Sequence, residues 1–539
     1  MNKNLFRISA VALFASVAII LSTVLCPYGY QSDIIIGQKL WVAQLLPVAT
    51  LCAFAGMTLQ YIVQRRFHDG SSIAVDLEYM VQWTLIIMGG LEAVLGLCQL
   101  FGYARSGHSL YAMTGSFFNP GPYGGYLAIV LPICLYVYQK GTKWEQVIVA
   151  IVGMLIFSVL PATMSRAAMI AAMLGCCHVW LANKDRQWMR ALFIRRKRLF
   201  VSIGAVLLIV FALLAILFTC FKMDSALGRL FLWKISLMAV CDNPFGYEGG
   251  FVSAFNTTQE AYFASGDFQP WEERVAGCPA YAFNEFLQCA IEHGVVVLFL
   301  VLFVVVLCFC KAHRDKRFGI NGAIISFMIF AFASYPLYFP AFRVTGILLL
   351  MACWKPAWHW LLMLLLAMSF IYIDNYDKRW KDEYEACQRW ESVRMLYRSG
   401  AYGAAIESYK QLYPFLNCYG SFLFEYGHSL HKTQHYHESI AILKEAEKHI
   451  TDPMVLNIIG KDYQALGLCQ EGETYYLRSS YRLPNRIYPY YLLAKLYASK
   501  EFLNKAKFLE MKRIVFYKKP KVMSSAIREM RNELRRIEK

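Results

Sequence analysis

Residues 286–310 read FLQCAIEHGVVVLFLVLFVVVLCFC, and the second half of this run is entirely apolar. A transmembrane helix needs about 20 mostly apolar residues, so the run predicts a membrane span. Similar runs occur near residues 5–26, 40–62, 79–102, 123–138, 146–163, 167–182, 199–221 and 319–335. From 338 to 373 the chain is apolar for too long for one crossing, and Lys355-Pro356 interrupts it. Two short helices around a tight turn are predicted there, which makes about eleven spans in an all-α membrane bundle over residues 1–373.

The composition agrees with a membrane protein. The 539 residues are 58% hydrophobic and 17% charged, whereas soluble domains average about 25% charged. A single soluble enzyme, a disordered chain, a collagen and a small disulfide scaffold are all excluded by these proportions. The net charge of +17 must lie outside the apolar runs, and its distribution indicates topology rather than nucleic-acid binding.

Lys and Arg residues in short loops favour the cytoplasmic side. With the N-terminus inside, the inner segments contain 18 of the 26 basic residues of 1–373, including Lys140, Lys143 and the run 195–198, and the outer segments contain eight. This bias predicts that the N-terminus is inside and that segments 103–122 and 222–284 lie on the outer face of the membrane. The first apolar run is longer than a usual secretory signal core, so it is predicted to remain as a membrane anchor.

Most of the 16 cysteines fall inside predicted spans, where Cys acts as a small apolar side chain. Cys241 and Cys278 share the long outer segment, and an oxidising compartment would permit a disulfide between them. Their pairing is a hypothesis.

Residues 374–539 have a different pattern, with charged helices in a repeat. Gly427, Gly460 and Ala494 are 33 and 34 residues apart, in the frames FLFEYGHSL, VLNIIGKDY and YYLLAKLY, and a second helix follows each frame. This period and the small residue at the predicted helix crossing resemble tetratricopeptide repeats. Such repeats usually bind a peptide or protein partner, although they could instead dock to the membrane domain or dimerise. Eleven spans would place them outside and ten inside.

Polar groups at one face of the membrane indicate where chemistry takes place. The segment GSFFNPGPYGGYLAIVLP (115–132) contains Asn119 and four glycines at the start of a span, and it is either a close-approach site or a plain capping turn. Arg166 lies in a tight turn between two apolar helices. It binds either an anionic substrate or, by snorkelling, lipid phosphate.

The long outer segment supplies further arginines. Arg229 and Trp233 are one helical turn apart, and Arg274 lies nine residues before Phe283. The sequence has neither zinc-ligand spacing nor paired DxD-type acids here, whereas guanidinium groups bind phosphate oxygens without a metal. A diphosphate headgroup therefore suits this face, and no cofactor is predicted.

Four motifs in order, GSFFNPGPYGGYLA, SRAA, GRLFLW with DNPFGYEGG, and AFNEFLQ with AIEHG, resemble the O-antigen ligase and polymerase superfamily. The tail resembles members of the ligase or protein O-oligosaccharyltransferase type that carry tetratricopeptide repeats. The resemblance implies a glycosyltransferase of the bacterial inner membrane that works on the periplasmic face. It would move a glycan from undecaprenyl diphosphate to a hydroxyl of a lipid A core sugar, a growing glycan or a protein Ser/Thr. By motif position it implies that Arg166 and Arg229 hold the diphosphate. Further candidates are Arg274, chosen from charge and place, and Arg343, with Asn119, Trp233, Asn284 and Glu285 as substrate-binding residues.

One departure from the family pattern affects the chemistry. Many members have His directly before Asn in the AxNxFL element, where this chain has Phe283 before Asn284. A phenylalanine cannot accept a proton, so the base would be another acid, water or the departing phosphate. The available acids are Asp267, Glu272, Glu273 and Glu285. A polysaccharide polymerase and a non-catalytic membrane scaffold or transporter remain alternative functions.

Overall fold

The computed structural model describes residues 2–26, 34–67, 76–182, 223–354, 359–520 and 523–537. These residues contain 22 α-helices and no strand, so the all-α prediction is confirmed for the described part of the chain. Six of the helices are long and apolar enough to cross a membrane, and three further apolar helices are shorter. The predicted span 199–221, the basic cluster 195–198 and Lys355-Pro356 lie outside the described residues. The count of eleven spans therefore stays a prediction.

The apolar helices follow the predicted runs, with ends that differ by a few residues. They are α1 (Asn2–Leu21), α2 (Ile34–Phe67), α3 (Leu77–Leu100), α4 (Pro120–Lys140), α5 (Lys143–Val159), α6 (Arg166–Ala182), α11 (Val295–Arg314), α12 (Phe318–Phe332) and α13 (Pro340–Met351). Between α6 and α11 lie α7 (Met223–Asp242), α8 (Gly250–Ala264), α9 (Pro270–Val275) and α10 (Glu285–His293).

The span predicted at 286–310 is present as an apolar helix, Val295–Arg314, but its predicted start is wrong because the helix breaks at Gly294. This glycine has φ +87°, and a Cβ there would lie 2.6 Å from the carbonyl oxygen of Phe245. The backbone N–H of Val295 donates to the carbonyl of Pro244 over 2.8 Å. The loop after α7 thus occupies the break, and the apolar helix begins at Val295.

The second of the two helices predicted in 338–373 is much longer than expected. Helix α14 runs from His359 to Arg398 and contains no Pro or Gly that would end it. The predicted domain boundary at 373 falls within this helix.

Two compact units are present. The first comprises 1–203, 283–285 and 299–387, and the second comprises 204–282, 286–298 and 388–539. In the first unit, small residues let α4, α6 and α12 approach closely. A Cβ at Gly175 would lie 2.6 Å from the carbonyl oxygen of Gly322, and one at Gly125 would lie 2.2 Å from the Phe330 ring.

The second unit contains residues 223–282 together with the C-terminal helices. We call residues 223–282 the outer segment, after the side of the membrane predicted for them. The C-terminal helices are α15 (Tyr402–Leu416), α16 (Gly420–Lys432), α17 (Tyr436–Ala446), α18 (Met454–Ala465), α19 (Cys469–Arg482), α20 (Tyr488–Ala498), α21 (Lys505–Tyr517) and α22 (Ser525–Arg536). A Cβ at Gly427 would lie 2.6 Å from Leu443, and one at Gly460 would lie 2.5 Å from Tyr476. Gly427 and Gly460 therefore lie at the predicted crossings of paired helices, while the classification of these helices as tetratricopeptide repeats stays a prediction.

Candidate functional site

In the first unit, three helices begin close together. Helix α4 begins next to the turn before α6, because a Cβ at Gly124 would lie 2.8 Å from Oγ1 of Thr163. The start of α13 is also close, since the rings of Phe118 and Phe339 are 5.6 Å apart. Arg166 is the first residue of α6, and Arg343 lies in the first turn of α13. Helix N-termini carry a partial positive charge that favours anions, so this end of the unit is electropositive.

The segment before α4 is held to α3 by buried polar side chains. Oε1 of Gln99 accepts the backbone N–H groups of Thr114 and Gly115 over 2.9 and 2.8 Å. Oε2 of the buried Glu92 accepts the N–H of Ser116 over 3.0 Å. Asn119 then caps α4, where its Oδ1 accepts the N–H of Gly121 over 2.8 Å. The structure thus gives Asn119 a role in starting the helix, which is compatible with its predicted place beside substrate.

A second polar feature of the same unit joins residues 283–285 to residues 335–343. Oε1 of Glu285 accepts the N–H of Leu337 over 2.6 Å, and Nε of Arg343 donates to the carbonyl of Leu337. The ring of Phe283 meets that of Tyr335 edge-on, with centroids 5.2 Å apart. Two predicted site residues are therefore organised around one peptide segment.

The contribution of residues 335–340 was missed in the sequence, although the run YPLYFP is an available signal. Its two prolines frame a short 3-10 turn, Pro336–Tyr338, that directs Tyr335 towards Phe283. Phe283 has φ +49°. This conformation is uncommon for a bulky residue, whereas His adopts it more readily. Backbone strain of this kind is typical of functional sites.

In the second unit, α7 and α9 bring Arg229 and Arg274 into one neighbourhood. A Cβ at Gly228 would lie 3.8 Å from the carbonyl oxygen of Val275, so the residues next to both arginines approach each other. Nη2 of Arg274 lies 3.5 Å from Oδ1 of Asp224, in a largely exposed ion pair that contributes little to stability. Arg229 and Arg274 therefore lie on two helices that pack against each other, and the sequence alone did not predict this packing.

Trp233 and Lys234 fasten α7 to the rest of the outer segment. The indole N–H of Trp233 donates to the carbonyl of Ala282 over 3.2 Å, directly before Phe283. Nζ of Lys234 lies 2.6 Å from Oε1 of Glu272, and the hydroxyl of Tyr262 donates to Oε2 of Glu272 over 2.6 Å. Trp233 was predicted as a substrate-binding residue. The structure shows in addition that it positions the segment directly before Phe283.

The four acids proposed as bases have different environments. Burial works against the charge of Glu272, but its bonds to Lys234 and Tyr262 outweigh it and hold its pKa below the usual range, which makes it a poor base. Glu273 forms an ion pair with Lys518 over 2.6 Å, and Asp267 is exposed on the surface. Glu285 is buried, directly follows Asn284 and is two residues from Phe283. Of the four, Glu285 is the acid next to the family's histidine position.

The site residues are therefore divided between the units. The first unit contains Asn119, Arg166, Asn284, Glu285 and Arg343, and the second contains Arg229, Trp233 and Arg274.

Residues 149–303 match the model of the family described as O-Antigen ligase. The match covers less than a third of the chain, from α5 to α11, and includes Arg166, Arg229, Arg274, Asn284 and Glu285. No curated protein and no solved structure matches the chain. Residues 149–303 thus match an O-antigen ligase domain, which supports the O-antigen ligase superfamily and a membrane glycosyltransferase-type enzyme, and the apolar helices support a multi-pass membrane protein.

Proposed function

We propose that the protein transfers a glycan from undecaprenyl diphosphate to a hydroxyl group at the periplasmic face of the bacterial inner membrane, without a metal ion. The acceptor is a lipid A core sugar or a protein Ser/Thr. The proposal is carried by three helix N-termini that lie close together, those of α4, α6 and α13. Arg166 lies in the first turn of α6 and Arg343 in the first turn of α13. This arrangement suits a diphosphate, because helix dipoles and guanidinium groups both stabilise phosphate oxygens.

The reaction requires stabilisation of a leaving group and removal of one proton. The acceptor oxygen forms a bond to the anomeric carbon while the bond from that carbon to the diphosphate oxygen breaks, and undecaprenyl diphosphate leaves with the electron pair. Arg166 and Arg229 would neutralise the charge that develops on the diphosphate, with Arg274 and Arg343 in supporting positions. The acceptor proton would go to Glu285, to water or to the departing phosphate, because Phe283 cannot accept it.

Arginine variants test this proposal. Arg166→Ala and Arg229→Ala should each lower transfer about 100-fold or more, as the loss of a charge-stabilising group does elsewhere. Arg105→Ala removes an exposed charge from the other predicted outer segment, outside the proposed site, and should leave transfer unchanged. Glycan attachment would be measured on lipopolysaccharide and on glycoproteins, in membranes that contain equal amounts of each variant. Normal attachment in both site variants would refute the site.

Two alternative functions are each supported by a specific observation. The same superfamily includes polysaccharide polymerases, whose products would form ladders of repeat number, whereas a ligase transfers the glycan en bloc. A non-catalytic scaffold is favoured by Phe283 and by the engagement of Glu285 with the backbone of Leu337. Absence of any glycan change on deletion of the gene would support the scaffold.

A further inference from the structure

Helix α9, which carries Arg274, is held by two residues from the C-terminal helices. Nδ2 of Asn485, in the turn between α19 and α20, donates to the carbonyls of Glu273 and Ala276 over 3.2 and 2.9 Å. Nζ of Lys518, directly after α21, lies 2.6 Å from Oε1 of Glu273. These contacts flank Arg274 on both sides in the sequence. The last carbonyls of a short helix need such donors, and here the repeats supply them.

Helix α8 is held by a cluster of four charges. Glu260 lies between two arginines of α19: its Oε2 accepts from Nε of Arg478 over 3.0 Å, and its Oε1 accepts from Nε of Arg482 over 2.6 Å. Glu447, directly after α17, binds both arginines from the other side. Two acidic and two basic groups therefore neutralise one another, with α8 supplying one of the four.

Burial shows that these contacts form an interface rather than a surface encounter. The Arg482 side chain is 1% exposed, and Gln259 of α8, which is also 1% exposed, donates to the carbonyl of Arg482. Asn256, one turn earlier in α8, donates to the carbonyl of Ile450 over 3.1 Å. Buried polar groups are costly unless they are paired. The polar face of α8 is thus complementary to the repeats.

We propose that the C-terminal repeats are an internal clamp for the outer segment: they bind α8 and α9, lie on the same side of the membrane as these helices, and hold the helix that carries Arg274. The occupant of this repeat surface is accordingly a segment of the same chain. The clamp itself does not depend on the proposed function, and only its consequence for glycan transfer rests on it.

Hydrogen–deuterium exchange on the full-length protein in detergent tests the clamp. Asn485→Ala and Lys518→Glu should each accelerate exchange in residues 270–277 by about tenfold or more, because they remove hydrogen bonds or an ion pair that hold α9 closed. The charge swap Glu273→Lys with Lys518→Glu should restore slow exchange. Lys507→Glu is the matched control, since it breaks a 2.7 Å ion pair with Glu473 inside the repeats.

Faster exchange confined to α8 and α9, with α18 and α20 unchanged, supports the clamp. Unchanged exchange at 270–277 in both single variants, or equal acceleration by the Lys507 control, overturns it.

Sidedness gives a second, independent test with native cysteines. Cys241 at the end of α7 and Cys418 between α15 and α16 are both exposed. A membrane-impermeant maleimide, applied to spheroplasts and located by peptide mass spectrometry, should label both before permeabilisation or neither. Labelling of one without the other would overturn the clamp, because directly contacting elements cannot lie on opposite sides of a membrane.

The clamp and the transfer function can fail separately. If α9 is protected in the wild-type protein but no glycan transfer is found in vivo or in membranes, the transfer function is refuted and the clamp stands. If the protein transfers glycan normally while exchange fails to respond to the variants, the clamp is overturned and the function stands. If both hold, Asn485→Ala should lower transfer, with retention of membrane-inserted protein as the control.

Discussion

Removal of the Glu260 carboxylate should strongly destabilise the unit that contains the repeats. In Glu260→Ala, Arg478 and Arg482 would share Glu447 alone, and a net positive charge would remain at a site where the Arg482 side chain is 1% exposed. Breaking a buried ion pair by removing one partner costs about 3–5 kcal/mol. The Coulomb energy of two unit charges 4 Å apart is about 4 kcal/mol at an effective dielectric constant of about 20, which agrees with that range.

Arg482 should account for most of this cost, because Arg478 is 35% exposed and solvent screens its share. The free energy of unfolding would be measured by denaturant titration of the detergent-solubilised protein, with tyrosine and tryptophan fluorescence as the signal. Lys495→Ala is the control: its ion pair with Glu533 has both side chains more than 40% exposed, so it should cost less than about 1 kcal/mol. A loss below about 1 kcal/mol in Glu260→Ala would refute the assignment of a buried charge cluster.

Three further variants test other parts of the structure. Gln99→Leu should cost about 2–4 kcal/mol, because it leaves the buried N–H groups of Thr114 and Gly115 without an acceptor; normal thermal unfolding and unchanged hydrogen exchange at 103–118 would contradict this. Phe283→His should raise glycan transfer about tenfold or more if proton removal limits the rate, and it suits the backbone at φ +49°; unchanged transfer would show that the missing base is not limiting. Burial lowers the pKa of His428 from its usual value of 6.5 to about 4, so the unfolded state binds more protons between these values and stability should fall as the pH drops from 6.5 towards 4. His428→Gln should flatten that part of the curve, and an equally steep loss in the variant would count against the assignment.

Hydrophobic runs predicted the helical membrane part well, because the length and polarity of a span depend on the bilayer rather than on neighbouring residues. The exception at Gly294 shows the limit. Glu292, His293 and Gly294 are compatible with a helix end, but the apolar run that follows them hides this signal. The contact with Phe245, about fifty positions earlier, is what only the tertiary structure shows. Cys241 and Cys278 share a segment, and both are free in the structure, so the disulfide proposed from their shared location has no structural support.

The sequence motifs suggested which residues form the candidate site, but not how the fold brings them together. Motif order predicts Arg166, Arg229, Asn284 and Glu285 as site residues, and all four lie within the family match over 149–303, while their roles stay predictions. The run YPLYFP signals a turn at residues 335–340. The contacts of Tyr335 and Leu337 with Phe283, Glu285 and Arg343 were not predictable from it, because they join segments that are distant in the sequence.

The sequence by itself determined that this is an all-helical membrane protein with a charged helical tail, because hydropathy and helical period are local properties of the chain. The order of the motifs along the chain also indicated the O-antigen ligase superfamily, which the family match over 149–303 supports. Only the tertiary structure decided what the repeats contact. The pairing of Glu260 with Arg478 and Arg482, and of Asn485 with the end of α9, joins residues more than 200 positions apart. No local pattern encodes such pairings, because they depend on which surfaces the folded chain brings together and buries.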